Sequence, residues 1–144
     1  MTHPATGAAV EAGTELPAWD LPVTPTLVVS TALATRDFQD VHHDRDLAQG
    51  HGSQDIFLNI LTTTGLVQRY VGEWARSAVG ESFVIRSCAL RLGAPAYPYD
   101  TVRFTATVTD VSDGLLTLTV VGEVVTSGPT NGMHHVDAQV VIAP

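Results

Sequence analysis

The chain has 144 residues and a mass of 15.3 kDa, the size of one domain able to bury roughly two-thirds of the surface its unfolded form exposes. An apolar fraction of 44% with 15% charged residues is ordinary for a globular protein, and no apolar run approaches the roughly 18 residues of a membrane span. All seven basic residues are Arg, against 15 acidic ones, for a net charge of −8 and a pI near 4.9, which argues against nucleic acid or an anionic membrane as partner.

Residues 1–25 are rich in Ala, Thr, Gly and Pro, and Pro4, Pro17, Pro22 and Pro25 interrupt any hydrophobic period. This composition predicts a mobile N-terminal tail, with Trp19 anchoring its end, ahead of a single domain over residues 26–144. No basic stretch followed by an apolar core marks a secretory signal. Cys88 is the only cysteine, so no intrachain disulfide forms and a reducing, cytoplasmic setting is expected.

Thr26 to Thr35 is rich in β-branched residues, with Leu27, Val29 and Leu33 on one alternating face, and predicts a half-buried strand. Arg36 to Gly52 is dense in Asp, His, Gln and Arg, too polar for core, with a short helical turn expected around Asp44 to Ala48. Ser53 then offers an N-cap and Asp55 an acidic residue in the first turn of the next helix. That helix is predicted from Gln54 to about Ser77, with Ile56, Ile60, Val67, Val71 and Trp74 on one stripe and Leu58, Leu61, Leu66 and Tyr70 broadening it. So apolar a circumference calls for wrapping, and Gly65 with the Thr62 to Thr64 run suggests close backbone approach.

Beyond Gly80 the period switches to two. Phe83 to Leu92, Thr101 to Val111, Leu115 to Thr126 and Met133 to Ala143 read as four strands joined as a meander by turn clusters. One strand, one long helix and four antiparallel strands make an α+β plan in which a curved sheet wraps the helix, the hotdog layout.

Asp37 and His42 stand five residues apart in the polar loop, just ahead of the long helix. A carboxylate and an imidazole beside a helix N-terminus can supply a base, an acid and a dipole in one place. The run from Asp37 to His42, D-F-Q-D-V-H, resembles the D-x-N-P-x-H signature of the MaoC-like enoyl-CoA hydratases. Asp37 matches the family's Asp and His42 its His, while Gln39 stands for Asn and Asp40 for Pro, removing a rigid turn residue. Asp44, Ala48 and YPYDTVRF are also similar to the family. Its His-Gly at the helix start is missing, with Asp55 and Ile56 there instead.

The resemblance implies a hotdog fold and addition of water to a 2-enoyl-CoA thioester. Asp37 and His42 would hold the water, Gln39 would fix the loop, and the helix start from Ser53, with the Ile56 backbone N–H, would donate to the thioester oxygen. The segments TRDFQDVHHDRD, DIFLNILTTTGLVQRYV and LRLGAPAYPYDTV are most similar to the small subunits of heteromeric MaoC-like hydratases of steroid side-chain degradation. That implies a steroid enoyl-CoA substrate, a larger subunit joining a MaoC-like domain to a DUF35-type segment in an α2β2 heterotetramer, and a downstream aldolase as a further partner. No metal or organic cofactor is implied, CoA being part of the substrate.

Other readings stay open on the residues alone. A hotdog acyl-CoA thioesterase would use the carboxylate to cleave the thioester, and a non-catalytic acyl-CoA-binding or stabilising subunit would need neither residue. His43 and Asp44 suit orienting the loop or capping the short helical turn rather than reacting. His42, His43, Asp44, Asp46 and His51 lack the spacing of a helical HExxH or a CxxC metal site, and GHGS lacks the Lys of a phosphate loop. Arg86, Arg91 and Arg103 are candidates for the CoA phosphates, although exposed strand arginines are commoner as solubilising charge. His134 and His135 are expected at the surface, and Cys88 as an inert core thiol.

Overall fold

In a computed structural model, which describes residues 9–144, Thr24 and Pro25 open a helix where alternation predicts a strand. This helix, α1, spans Pro25–Ala34. The Thr24 hydroxyl accepts the Leu27 N–H at 3.0 Å, and Pro25 sits where its missing N–H costs nothing. The β-branched residues are accommodated because the Thr31 and Thr35 hydroxyls donate back to the carbonyls of Leu27 at 2.6 Å and Thr31 at 2.8 Å. Burial follows the helical period: Val28 and Ala32 are buried, while Leu33, assigned by alternation to the inner face, is 49% exposed.

The expected tail is corrected in its second half. β1, Trp19–Pro22, pairs antiparallel with β3, Thr101–Ser112, placing Trp19 opposite Phe104. Upstream of it the Gly13 N–H donates to Val108 O at 2.7 Å and the Leu16 N–H to Ala106 O at 2.9 Å. Leu16 and Val23 are buried. Of the prolines that interrupted the sequence pattern, Pro22 lies in this edge strand and Pro17 just ahead of it, where a missing donor is tolerated. Trp19 stacks on Phe104 with ring centroids 5.3 Å apart, and the Tyr70 hydroxyl donates to Pro17 O at 2.8 Å. Residues 1–8 of the expected tail lie outside the described residues.

The short helix α2, Arg45–Gly50, is capped as expected, the Leu47 N–H donating to Asp44 Oδ1 at 3.0 Å. The long helix α3 runs Ile60–Ala78 and not from Gln54. Its cap is Asn59, whose Oδ1 accepts the Thr62 N–H at 2.9 Å. Thr63, Val67, Val71 and Ala75 recur every fourth residue and are wholly buried against the sheet. Burying a Val in this way contributes about 1.5–3 kcal/mol relative to exposure. The opposite side is not wrapped: Leu61 is 52% exposed, Arg69 and Arg76 are exposed, and a Cβ on Gly65 would meet nothing within 4 Å. Close approach falls instead at Gly122, where a Cβ would lie 2.8 Å from Val136 Cγ1 and 3.2 Å from Phe104 Cε1.

β2, Val84–Leu92, β4, Leu115–Val124, and β5, His134–Ala143, complete an antiparallel sheet of order β1-β3-β4-β5-β2. The meander holds for β3, β4 and β5. However, β2 lies beside β5, with Cys88 opposite Val140, and not beside β3. The connection 93–100 carries the chain across: the Gly93 and Ala94 N–H groups donate to His135 O and His134 O, each at 2.8 Å, and Asp100 O accepts the Val23 N–H at 2.7 Å. Among the described residues β2 pairs with β5 alone, so its other edge is open. No described helix is long and apolar enough to cross a membrane.

Candidate active site

The end of α1 aims the first site residue. Arg36 adopts φ 58°, its N–H donates to Leu33 O at 3.0 Å, and the Asp37 N–H donates to Ala32 O at 2.9 Å. These two bonds close the helix as a Schellman motif, made here without glycine at a cost of about 1–2 kcal/mol for the left-handed residue. Asp37 therefore leaves α1 in a set direction. After it, a single 3-10 turn, Asp40–His42, brings the imidazole back toward the carboxylate.

Asp37 Oδ2 and His42 Nε2 lie 3.4 Å apart, with the two side chains 15% and 7% exposed. His42 Nδ1 is 2.8 Å from the carbonyl of Phe57. A carbonyl only accepts, so Nδ1 carries a proton and Nε2 is the ring nitrogen turned toward Asp37. The Phe57 ring meets the imidazole edge to face at 5.0 Å between centroids.

Asp37 has two further partners. Its Oδ1 accepts the Gln39 backbone N–H at 3.3 Å, and its Oδ2 accepts Asn59 Nδ2 at 3.1 Å. Burial, the largest single influence, pushes its pKa up. The bonds from Asn59 and Gln39 and the nearby His42 together outweigh that and hold the carboxyl below its ordinary 3.8. The pair thus sets an ionised carboxylate oxygen against the ring Nε2. An open depression lined by Phe38, Gln39, Asp40, Val41 and His51 adjoins the loop.

The remaining predicted site residues fare differently. Gln39 holds Asp37 Oδ1 through its backbone N–H, and its side chain is exposed. Ser53 caps no helix, and its hydroxyl donates to Asp55 O at 2.7 Å. The Ile56 N–H is not free for a ligand: it donates to Asp55 Oδ1 at 2.8 Å, and Ile56 lies ahead of the helix. With the helix starting later, Asn59 takes the Thr62 N–H, and the first-turn N–H groups that remain without an acceptor in α3 are those of Ile60 and Leu61. The three arginines do not gather. Arg86 and Arg91 are exposed on β2 at one side of the sheet, and Arg103 lies on β3, two strands further in than β5. Arg103 is also taken, bound in fork geometry by Asp20 at 2.7 and 2.8 Å.

Two residues escaped the sequence reading. Asn59 is buried and touches Asp37 directly; an Asn ahead of an apolar helical run is a strong N-cap signal, but Ser53 competed for it. His135, expected at the surface, is buried, with Nδ1–H donating to Ala94 O at 2.8 Å and Nε2 accepting the Thr63 hydroxyl at 2.9 Å. His134 is exposed and pairs with Asp137 at 2.9 Å.

Residues 8–129 match the profile of the MaoC like domain family. The chain belongs to the MaoC-like family. This MaoC-like chain is 63% identical over 110 residues to the 3-oxo-4,17-pregnadiene-20-carboxyl-CoA hydratase beta subunit of Mycobacterium tuberculosis, a match covering 76% of this chain and 82% of that one. In structure it is similar to a chain of the ChsH1-ChsH2 complex from Mycobacterium tuberculosis, with a TM-score of 0.82 and 55% identity over 92% of this chain and 96% of that one. The (R)-hydratase from A. caviae involved in PHA biosynthesis superposes with a TM-score of 0.77 at 17% identity, over 94% and 98% of the two chains, a likeness of fold alone. The hotdog expectation is thereby borne out, with α3 packed against the five-stranded antiparallel sheet.

Proposed function

We propose that this MaoC-like chain is the Asp/His-bearing subunit of an enoyl-CoA hydratase. The reaction it would serve adds water across the double bond of a 2-enoyl-CoA thioester whose acyl group is a steroid with a shortened side chain. The observation that carries this reading is the convergence of Asp37 Oδ2 and His42 Nε2 at 3.4 Å, with the His42 tautomer set by Phe57. In the form of His42 that is protonated at Nδ1 alone, Nε2 and the carboxylate oxygen are two acceptors that call for a donor between them. A water giving one O–H to each satisfies both and keeps its oxygen lone pair free for the β-carbon.

In the hydration step a C–O bond forms at the β-carbon while a water proton passes to the pair. The π electrons move toward the thioester oxygen, and a proton returned to the α-carbon completes the addition of H2O. The enolate charge needs donors, and we assign these to the Ile60 and Leu61 N–H groups, at the positive end of α3 and next to Asn59. Because base, acid and oxyanion donors are all protein groups, the chemistry needs neither metal nor organic cofactor. The cytoplasm is the compartment this reading implies.

The similarity to the named hydratase subunit supports the steroid acyl group. The open edge of β2 and the likeness to a chain of a two-protein complex support assembly with a larger MaoC-like subunit. The test is the co-purified complex offered steroid and straight-chain enoyl-CoA. Loss of the conjugated double bond, faster with the steroid, is expected. Release of free CoA thiol with the double bond intact would make the protein a thioesterase. Ligand retention without turnover, unchanged by Asp37→Asn, would make it a binding subunit.

A further inference from the structure

Asn59 spends every hydrogen-bonding group of its side chain on a different element. Oδ1 accepts the Thr62 N–H at 2.9 Å, which makes it the N-cap of α3. Nδ2 donates to Thr35 Oγ1 at 2.9 Å, at the end of α1, and to Asp37 Oδ2 at 3.1 Å. The amide cannot be turned over, because a flipped group would set two donors against each other at Thr62 and an oxygen against a carboxylate at Asp37. Thr35 Oγ1 gives its own proton to Thr31 O at 2.8 Å and so can only accept from Asn59. The network therefore has one direction, running from the start of α3 to Asp37.

The Oδ2 that Asn59 holds is also the oxygen that faces His42 Nε2 at 3.4 Å. An unrestrained carboxylate could rotate about its Cβ–Cγ bond and present either oxygen, or neither, to the imidazole. Two tethers prevent this: the Gln39 backbone N–H on Oδ1 and the Asn59 amide on Oδ2. The titratable side chain that bears on Asp37 is His42, on the 3-10 turn; Thr35, Gln39 and Asn59 do not titrate. Asn59 is buried, so its donor is not in exchange with bulk water.

We propose that Asn59 is a positioning residue for hydration, its amide fixed by the first turn of α3 and holding the Asp37 carboxylate toward His42. This rests on the hydratase reading given above. It also means that the helix start and the acid/base pair share one side chain, so α3 cannot shift its first turn without moving Asp37.

Asn59→Asp separates the two duties. Aspartate caps a helix as well as asparagine does and has the same shape, so α3 stays in place. A carboxylate oxygen then replaces the donor facing Asp37, and like charges raise each other's pKa. In the co-purified complex kcat should fall at least about tenfold near neutral pH, and the acid limb of its pH profile should move up by about one unit or more. Asn59→Ser, which caps but cannot reach Asp37 with an amide, should lower kcat with a smaller displacement of that limb. Carboxyl-carbon NMR of the full chain gives a second readout: the Asp37 titration should move to higher pH in Asn59→Asp, whether or not turnover is measured. A wild-type kcat profile and an unmoved Asp37 titration in Asn59→Asp would overturn the proposal. If the wild-type complex itself hydrates no enoyl-CoA while the Asp37 titration still moves, the hydratase reading fails and the positioning contact stands.

Discussion

His42 gives its Nδ1 proton to the carbonyl of Phe57 at 2.8 Å, and that bond decides which nitrogen of the ring is left for chemistry. The acceptor comes from the extended segment just ahead of α3, and the Phe57 N–H in turn donates to Val41 O at 3.1 Å. Loop and segment thus hold each other, and Nε2 is delivered to Asp37 without help from a ligand.

The first expectation concerns the pair itself. Asp37→Asn and His42→Ala should each reduce kcat by about 10²- to 10⁴-fold, the range for a positioned acid or base. Circular dichroism should show an unchanged fold, and turnover is read from loss of the enoyl absorbance in the complex. Near-normal rates in either variant would remove both residues from the reaction.

The lowered pKa of Asp37 has a consequence for stability. The folded-state value lies below the ordinary 3.8, so on acidification the unfolded chain takes up this proton first. The contribution is complete above 3.8 and is lost as pH falls from there through the folded-state value. Urea unfolding of the wild type should therefore weaken more steeply than that of Asp37→Asn below that pH. Parallel curves would show that the carboxylate is not held as the hydrogen bonds require.

His135 acts at milder acidity. Burial pushes its pKa below the ordinary 6.5, against smaller opposing influences from the Ala94 carbonyl and Asp100. Above 6.5 the ring is neutral in both states and its contribution is complete. Below it the unfolded chain binds a proton that the folded one resists, so stability is lost as pH falls from 6.5 toward the folded-state value. The melting temperature of the wild type should drop further than that of His135→Gln between about pH 7 and about pH 5. Identical drops would place the ring outside the titrating set.

Gly122 offers a test of packing remote from the site. A methyl group there would press on Val136, Phe104 and Val102 within the sheet, which predicts a loss of about 1–3 kcal/mol for Gly122→Ala by denaturant unfolding. Gly65→Ala, on the open side of α3, should instead gain about 1 kcal/mol from helix propensity. The reverse order would mean that the sheet yields where the geometry says it is tight.

Legibility in the sequence followed from how local each cause was. The four strands after Gly80 and the body of α3 announce themselves through periods of two and of about 3.6 residues, and both survive. α1 was misread because Leu27, Val29 and Leu33 alternate by chance, while the Thr24 cap and Pro25 were counted as tail. β1 was hidden by prolines that only an edge tolerates, and the pairing of β2 with β5 depends on a nonlocal register that no local pattern encodes. At the site, the spacing of Asp37 and His42 was readable and the structure brings them together. Asn59 was not, since its role requires knowing that α3 starts after it and that Asp37 lies in reach. The Ile56 donor failed for a similarly small reason, the neighbouring Asp55 having claimed it.

The open flank of β2 carries a cellular cost. Its free row of backbone groups is a template for any stray extended peptide, blunted only in part by the guanidinium groups of Arg86 and Arg91 and by the bulge that interrupts the register between Ile85 and Ser87. Any molecule that leaves that flank uncovered is exposed to edge-to-edge clumping, and crowding in the cell sets how often such encounters occur.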